Sequence, residues 1–87
     1  MYWYSEGGST GVRAHDPKFG VTLSVAEAGD GWWHWHAEHE GTPWTPDARW
    51  FATRVDAQDA AEAWAATVTK RHLALFRRLP RAHLKAA

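Results

Sequence analysis

The chain has no cysteine, one methionine and only four prolines. Without thiols, neither a disulfide nor a thiolate-bound metal can staple it. At 87 residues it has room for one small domain, so a dense core must supply the stability. No apolar run approaches the ~20 residues of a membrane span. No basic stretch followed by an apolar one opens the sequence, so a secretory leader is not expected and a reducing cytoplasm is. Acidic residues are missing from one region. All ten precede Val68, whereas Lys70, Arg71, Arg77, Arg78, Arg81 and Lys85 follow it. The formal net charge of zero therefore divides into an acidic body and a basic end.

Aromatic residues are plentiful: seven Trp, three Phe and two Tyr. Each buries roughly 150–250 Å², enough to build a core in a short chain. Alanine is abundant and Arg outnumbers Lys, a usage associated with high-GC bacterial or phage genomes.

The stretch Gly31-Trp32-Trp33-His34-Trp35-His36-Ala37-Glu38-His39 reads as one β-strand. Side chains alternate across a strand, so Trp33, Trp35 and Ala37 share one face and Trp32, His34, His36 and Glu38 the other. The first face suits a core, the second a surface or a site. Ahead of it, residues 19–27 alternate equally well, with Phe19, Val21, Leu23 and Val25 on one side. Gly29-Asp30-Gly31 supplies the hairpin turn between them. Residues 1–4 and 12–15 suit a short N-terminal hairpin, and Asp16-Pro17 ends it. Residues 40–47 contain Pro43 and Pro46 and read as a loop, since two prolines do not fit a central ladder. Residues 48–55 read as a third main strand, with Trp50 and Phe51 on opposite faces.

Asp56 is a suitable N-cap, and apolar positions from Ala57 through Trp64, Val68, Leu75, Phe76 and Leu79 keep helical spacing until Pro80. The expected fold is thus α+β in one domain. A three- or four-stranded antiparallel sheet (about residues 2–55) carries one long C-terminal helix (about 57–79) on one face, followed by a short basic tail (80–87). A helix of that length spans roughly 34 Å at 1.5 Å per residue. A seven-residue strand spans only ~23 Å. The end of the helix, with Leu73, Phe76 and Leu79, should overhang the sheet. Either the Tyr2-Trp3-Tyr4 segment covers it or another chain does.

The run Phe51-Ala52-Thr53-Arg54-Val55-Asp56-Ala57-Gln58-Asp59-Ala60-Ala61-Glu62-Ala63-Trp64 resembles the strand-to-helix joint of the arm-type DNA-binding domains of tyrosine integrases. The likeness spans about residues 19–68 and extends to other small β-β-β-α modules. It implies that architecture, and it implies DNA binding through a basic sheet. This sequence departs from the second implication. Its sheet offers His34, His36, Glu38, Glu40 and Asp30, with only Arg49 and Arg54 basic on the expected third strand. Phosphate affinity scales with the number of cations brought to the backbone.

No cysteine nucleophile exists, Ser5, Ser9 and Ser24 sit in no nucleophile motif, and no glycine-rich phosphate loop precedes the helix. An enzyme is not expected, nor is a cofactor or a small-molecule substrate. The leading expectation is a protein-interaction module, phage-encoded or associated with a mobile element, binding a host protein or itself as a homodimer. Its contact residues would be Trp32, Trp44 and Trp50, with Leu73, Phe76 and Leu79 from the protruding helix. Trp44, stiffened by Pro43 and Pro46, reads equally as a preformed anchor or as a lid on the sheet edge. The alternative is nucleic-acid binding through Lys70, Arg71, Arg77, Arg78, Arg81 and Lys85. A third reading is a metal-dependent enzyme using His34 and His36, whose spacing lets two neighbours share an ion while the third ligand must come from elsewhere.

Overall fold

The computed structural model describes residues 1–5 and 10–68. Five strands run in sequence: β1 (Trp3–Ser5), β2 (Val12–Asp16), β3 (Val21–Glu27), β4 (Trp33–His39) and β5 (Thr42–Trp44). They form one antiparallel meander in that spatial order, and one helix, α1 (Arg54–Thr67), follows. The architecture is the expected α+β sheet with a helix on one face. The sheet has five strands instead of three or four, and the helix is short.

The turns explain the meander. Gly29, Asp30 and Gly31 all hold positive φ (85°, 55° and 80°), and the loop is closed by the Ala28 N–H donating to the Trp32 carbonyl at 2.9 Å and the Trp32 N–H to the Gly29 carbonyl at 3.2 Å. The register pairs Glu27 with Trp33 and runs without a slip to Val21 and His39. Between β4 and β5 stand only Glu40 and Gly41, with φ of 51° and 79°. Positive φ at both central residues is the mark of the tight hairpin turn whose twist matches the flanking strands. This turn makes Thr42–Trp44 a strand, where the prolines pointed to a loop. Pro43 is tolerated because β5 is an edge with no further strand to donate to. Both edges, β1 and β5, are three residues long, which limits pairing with other chains.

The expected strand over residues 48–55 is not formed. Only Phe51 reaches the sheet, through two 2.8 Å backbone bonds with Trp33. Asp47 and Arg49 hold the preceding segment in a local clamp, and the helix already begins at Arg54. Its N-cap is Thr53, whose Oγ1 accepts from the Asp56 N–H at 3.1 Å. Asp56 therefore sits in the first turn instead of capping it, where its charge still suits the helix dipole.

The helix ends at Thr67, correcting the expected span of 57–79. Val68 is extended (φ −67°, ψ 136°), its N–H returns to the Ala65 carbonyl, and the Thr67 hydroxyl donates to the Trp64 carbonyl at 2.7 Å. Thr67-Val68-Thr69 is a β-branched run, poor in helix propensity, and Val68 gains burial by turning into the core, where it is 4% exposed. Helical spacing continued through Val68 in the sequence because a core residue just past a helix end occupies the same face.

The core lies between the helix and one face of the sheet. Val12 and Ala14 of β2, Val21, Leu23 and Val25 of β3, and Trp35 and Ala37 of β4 are buried against Ala57, Ala61 and Ala65. The alanines recur every four residues, so small side chains form a stripe that lets the helix lie close to the sheet. Trp35 and Trp64 pack at 5.6 Å between ring centroids. Trp3 packs on the core margin, and its indole N–H donates to Glu62 on α1 at 3.3 Å. The N-terminal segment thus covers part of the described helix. The buried face of β4 also extends one step beyond Ala37, to His39, which is 5% exposed. No helix among the described residues is long and apolar enough to cross a membrane.

Candidate functional site

Among the described residues no second helix or strand layer covers the sheet face opposite α1, on which Thr22, Ser24, Ala26, His34 and His36 are half-buried. Alternation places on it Tyr4 of β1, Arg13 and His15 of β2, Thr22, Ser24 and Ala26 of β3, and His34, His36 and Glu38 of β4. The register lines these up in rows. Tyr4, Arg13, Ser24 and His36 are consecutive cross-strand neighbours, as are His15, Thr22, Glu38 and Pro43. His15 Nδ1 and Thr22 Oγ1 lie 3.2 Å apart within the second row. Tyr2 stacks on Tyr4 with centroids 6.5 Å apart, and both rings are exposed.

The Phe51–Trp33 bridge builds the richest end of this face. Directly opposed residues in an antiparallel pair point the same way, so Phe51 joins Trp33 on the core side. Their neighbours Trp50, Trp32 and His34 then belong to the opposite side. The rings of His34 and Trp50 meet edge-on at 5.6 Å, and those of His34 and His36 stack at 6.4 Å. The sequence expectation that Trp32, His34, His36 and Trp50 share a face is met. Trp32 and Trp50 remain 49% and 59% exposed despite their size.

Beside them a cleft of about 650 Å³ opens between the β3–β4 turn and residues 49–50, lined by Ala28, Gly29, Asp30, Trp32, Arg49 and Trp50. Arg49 is fixed by Asp47. Its Nε donates to both carboxylate oxygens at 2.9 and 3.1 Å, and its Nη2 donates to one of them at 2.7 Å. The guanidinium also lies over the Phe51 ring at 5.3 Å. Hydrogen bonds and charge from Arg49 hold the Asp47 carboxyl below the usual carboxylate value, and Asp47 raises the guanidinium in return. The buried indole N–H of Trp35 has no acceptor within hydrogen-bond distance among the described residues, yet it contributes to lowering Asp47, which marks a long attraction.

Burial lowers the pKa of His36, with the neighbouring His34 and Arg13 adding to the effect and Glu38 opposing it. Its imidazole is therefore harder to protonate than a free histidine side chain. No group of three or more His, Asp or Glu side chains among the described residues has the arrangement to hold a metal ion. The pair His34 and His36 has no third ligand there.

Trp44 separates from the other two expected anchors. It is the cross-strand partner of Ala37, so it lies on the core side at the sheet edge and is half-buried. Leu73, Phe76 and Leu79, and the bases Lys70, Arg71, Arg77, Arg78, Arg81 and Lys85, lie outside the described residues. Arg49, and the cleft it helps to line, were not among the expected sites. The signal was present only indirectly, in the alternation that must place Trp50 opposite Phe51. Comparison with protein-family models, with curated proteins and with solved structures returns no match.

Proposed function

We propose that the chain is a non-enzymatic protein-binding module that docks its partner on the open sheet face around Trp32, His34 and Trp50. One observation carries the reading. Two tryptophans stay about half exposed on the side of the sheet away from the helix, next to an open cleft, in a chain that buries Trp35 to 1%. Large exposed aromatics held by backbone bonds are inexpensive to immobilise and make strong interface anchors. A face contacting water alone does not need them.

Nucleic acid is less well supported on this face. His36 resists protonation, Arg49 is bound to Asp47, and Glu38 and Asp30 are acidic. Arg13 remains on this face, and so few cations are a weak match for a phosphate backbone. The arm-type resemblance would require a basic sheet, whereas six of the ten bases of the chain lie beyond residue 68.

The test is affinity capture with wild-type protein and with a Trp32→Ala/Trp50→Ala variant, followed by calorimetry on the purified partner. A 1:1 complex weakened at least tenfold in the variant supports the proposal. A partner bound equally well by both proteins, or a nucleic acid in place of a protein, overturns it.

A further inference from the structure

The charge balance of the cleft points to the chemistry of what enters it. Its two charged lining groups are Asp30 and Arg49. Arg49 is already neutralised by a chelating carboxylate outside the cleft, at 2.7–3.1 Å. Among the described residues Asp30 has no such partner. It stands at the tip of the turn with φ 55°, held there by glycines on both sides. The Ala28 N–H, the Gly29 carbonyl and both backbone groups of Trp32 are spent on each other, which leaves the turn few groups for an incoming strand to pair with. What remains is one carboxylate and two exposed indoles on about 650 Å³ of open space. An indole face attracts cations through its quadrupole, and a nearby carboxylate adds direct attraction. The surrounding body strengthens the bias, since all ten acids and only four of the ten bases precede Val68.

We propose that the Trp32–Trp50 cleft receives a cationic side chain, arginine or lysine, presented by a basic peptide segment of the partner protein. The inference rests on the docking reading above and adds the partner's chemistry. Arginine fits best, because its flat guanidinium can stack on an indole while its edge donates to Asp30. An acidic or phosphorylated segment would meet Asp30 unfavourably. A proline-rich one would use the indoles and leave the carboxylate without a role.

Indole N–H signals in nitrogen–proton correlation spectra of the full chain test this. The probes are short capped peptides containing two arginines, two glutamates or two prolines, at low and at physiological salt. The arginine peptide should shift the Trp32 and Trp50 signals and leave Trp35 unmoved, with binding that weakens as salt rises. Asp30→Asn should weaken it about threefold to fivefold, and Trp50→Ala by about threefold to tenfold. Equal shifts with the glutamate or proline peptide, or no effect of Asp30→Asn, overturn the cationic assignment. If the arginine peptide binds only to an Arg77→Glu/Arg78→Glu variant, the chain's own basic end is the occupant and the partner assignment fails. Loss of a purified partner in Trp32→Ala/Trp50→Ala together with no response to the arginine peptide would refute this chemistry while leaving the docking face standing.

Discussion

Trp35 and Trp32 stand three residues apart on the same hairpin arm, and the fold assigns them opposite roles. Trp35 is 1% exposed, packed on Leu23, Ala37 and the helix, with Trp64 at 5.6 Å. Burying its ring removes roughly 150–250 Å² from water, or about 4–6 kcal/mol at ~25 cal/mol per Å². Residual burial in the unfolded chain trims this to about 3–5 kcal/mol, the range for deleting a core aromatic. A domain of 87 residues has a total stability of about 4–13 kcal/mol. Trp35→Ala should therefore remove about 3–5 kcal/mol, a large share of that stability. Trp35→Phe, which keeps most of the ring, should remain folded. Trp32→Ala and Trp50→Ala remove side chains that are half in water and should cost about 1–2 kcal/mol each, well below Trp35→Ala. Urea titrations followed by far-UV circular dichroism, compared at constant slope, measure all four. A Trp35→Ala protein within about 1 kcal/mol of wild type would refute the assignment of faces. So would a Trp32→Ala protein as damaged as Trp35→Ala.

Other consequences are as direct. Thr53→Ala removes the acceptor of the Asp56 N–H and should cost about 1 kcal/mol, read as a melting-temperature drop of about 4–8 °C; an unchanged midpoint would contradict the cap. Gly41→Ala meets no atom within 4 Å, so only its φ of 79° is penalised, at about 1–2 kcal/mol, and Gly41→Asn should cost less. Ala61→Leu forces a larger side chain into a fully buried position between helix and sheet and should destabilise by about 1–3 kcal/mol in urea, where an exposed alanine such as Ala63 would gain or stay neutral. The lowered pKa of His36 gives stability that is fully present above the ordinary value of 6.5 and declines as pH falls below it, because the unfolded chain takes up the proton more readily. His36→Gln should flatten part of that decline between pH 7.5 and 5.5, and an unchanged slope would show that the imidazole titrates normally.

Period-two alternation made most of the sheet legible. It placed Val21, Leu23, Val25, Trp35 and Ala37 on the buried face and set His34 and His36 against them, and Gly29-Asp30-Gly31 marked the turn. What failed were places where a backbone constraint outweighs side-chain pattern. Glu40-Gly41 adopts a tight turn without the usual asparagine or aspartate, so β5 went unseen behind its proline. A single pair of bonds from Phe51 to Trp33 imitates a strand's pattern over residues 48–55 without forming one. Val68 satisfies helical spacing from outside the helix. The candidate site was half legible. Shared membership of one face by Trp32, His34 and His36 follows from alternation alone, and Trp50 joins them through the Phe51–Trp33 bridge. The cleft does not, because it depends on where the Asp47–Arg49 clamp holds residues 49–50 against the β3–β4 turn, a separation of nearly twenty residues that no local pattern encodes.

The central claim is that the sheet has one face closed by the helix and one face kept open for a partner. Calorimetric titration of the purified partner into wild type, Trp32→Ala/Trp50→Ala and Val55→Ala compares the proposed face with an exposed apolar residue on α1. The account predicts that the double variant, folded by circular dichroism, loses at least tenfold in affinity while Val55→Ala binds as wild type. Undiminished binding by the double variant, or loss confined to Val55→Ala, would contradict it.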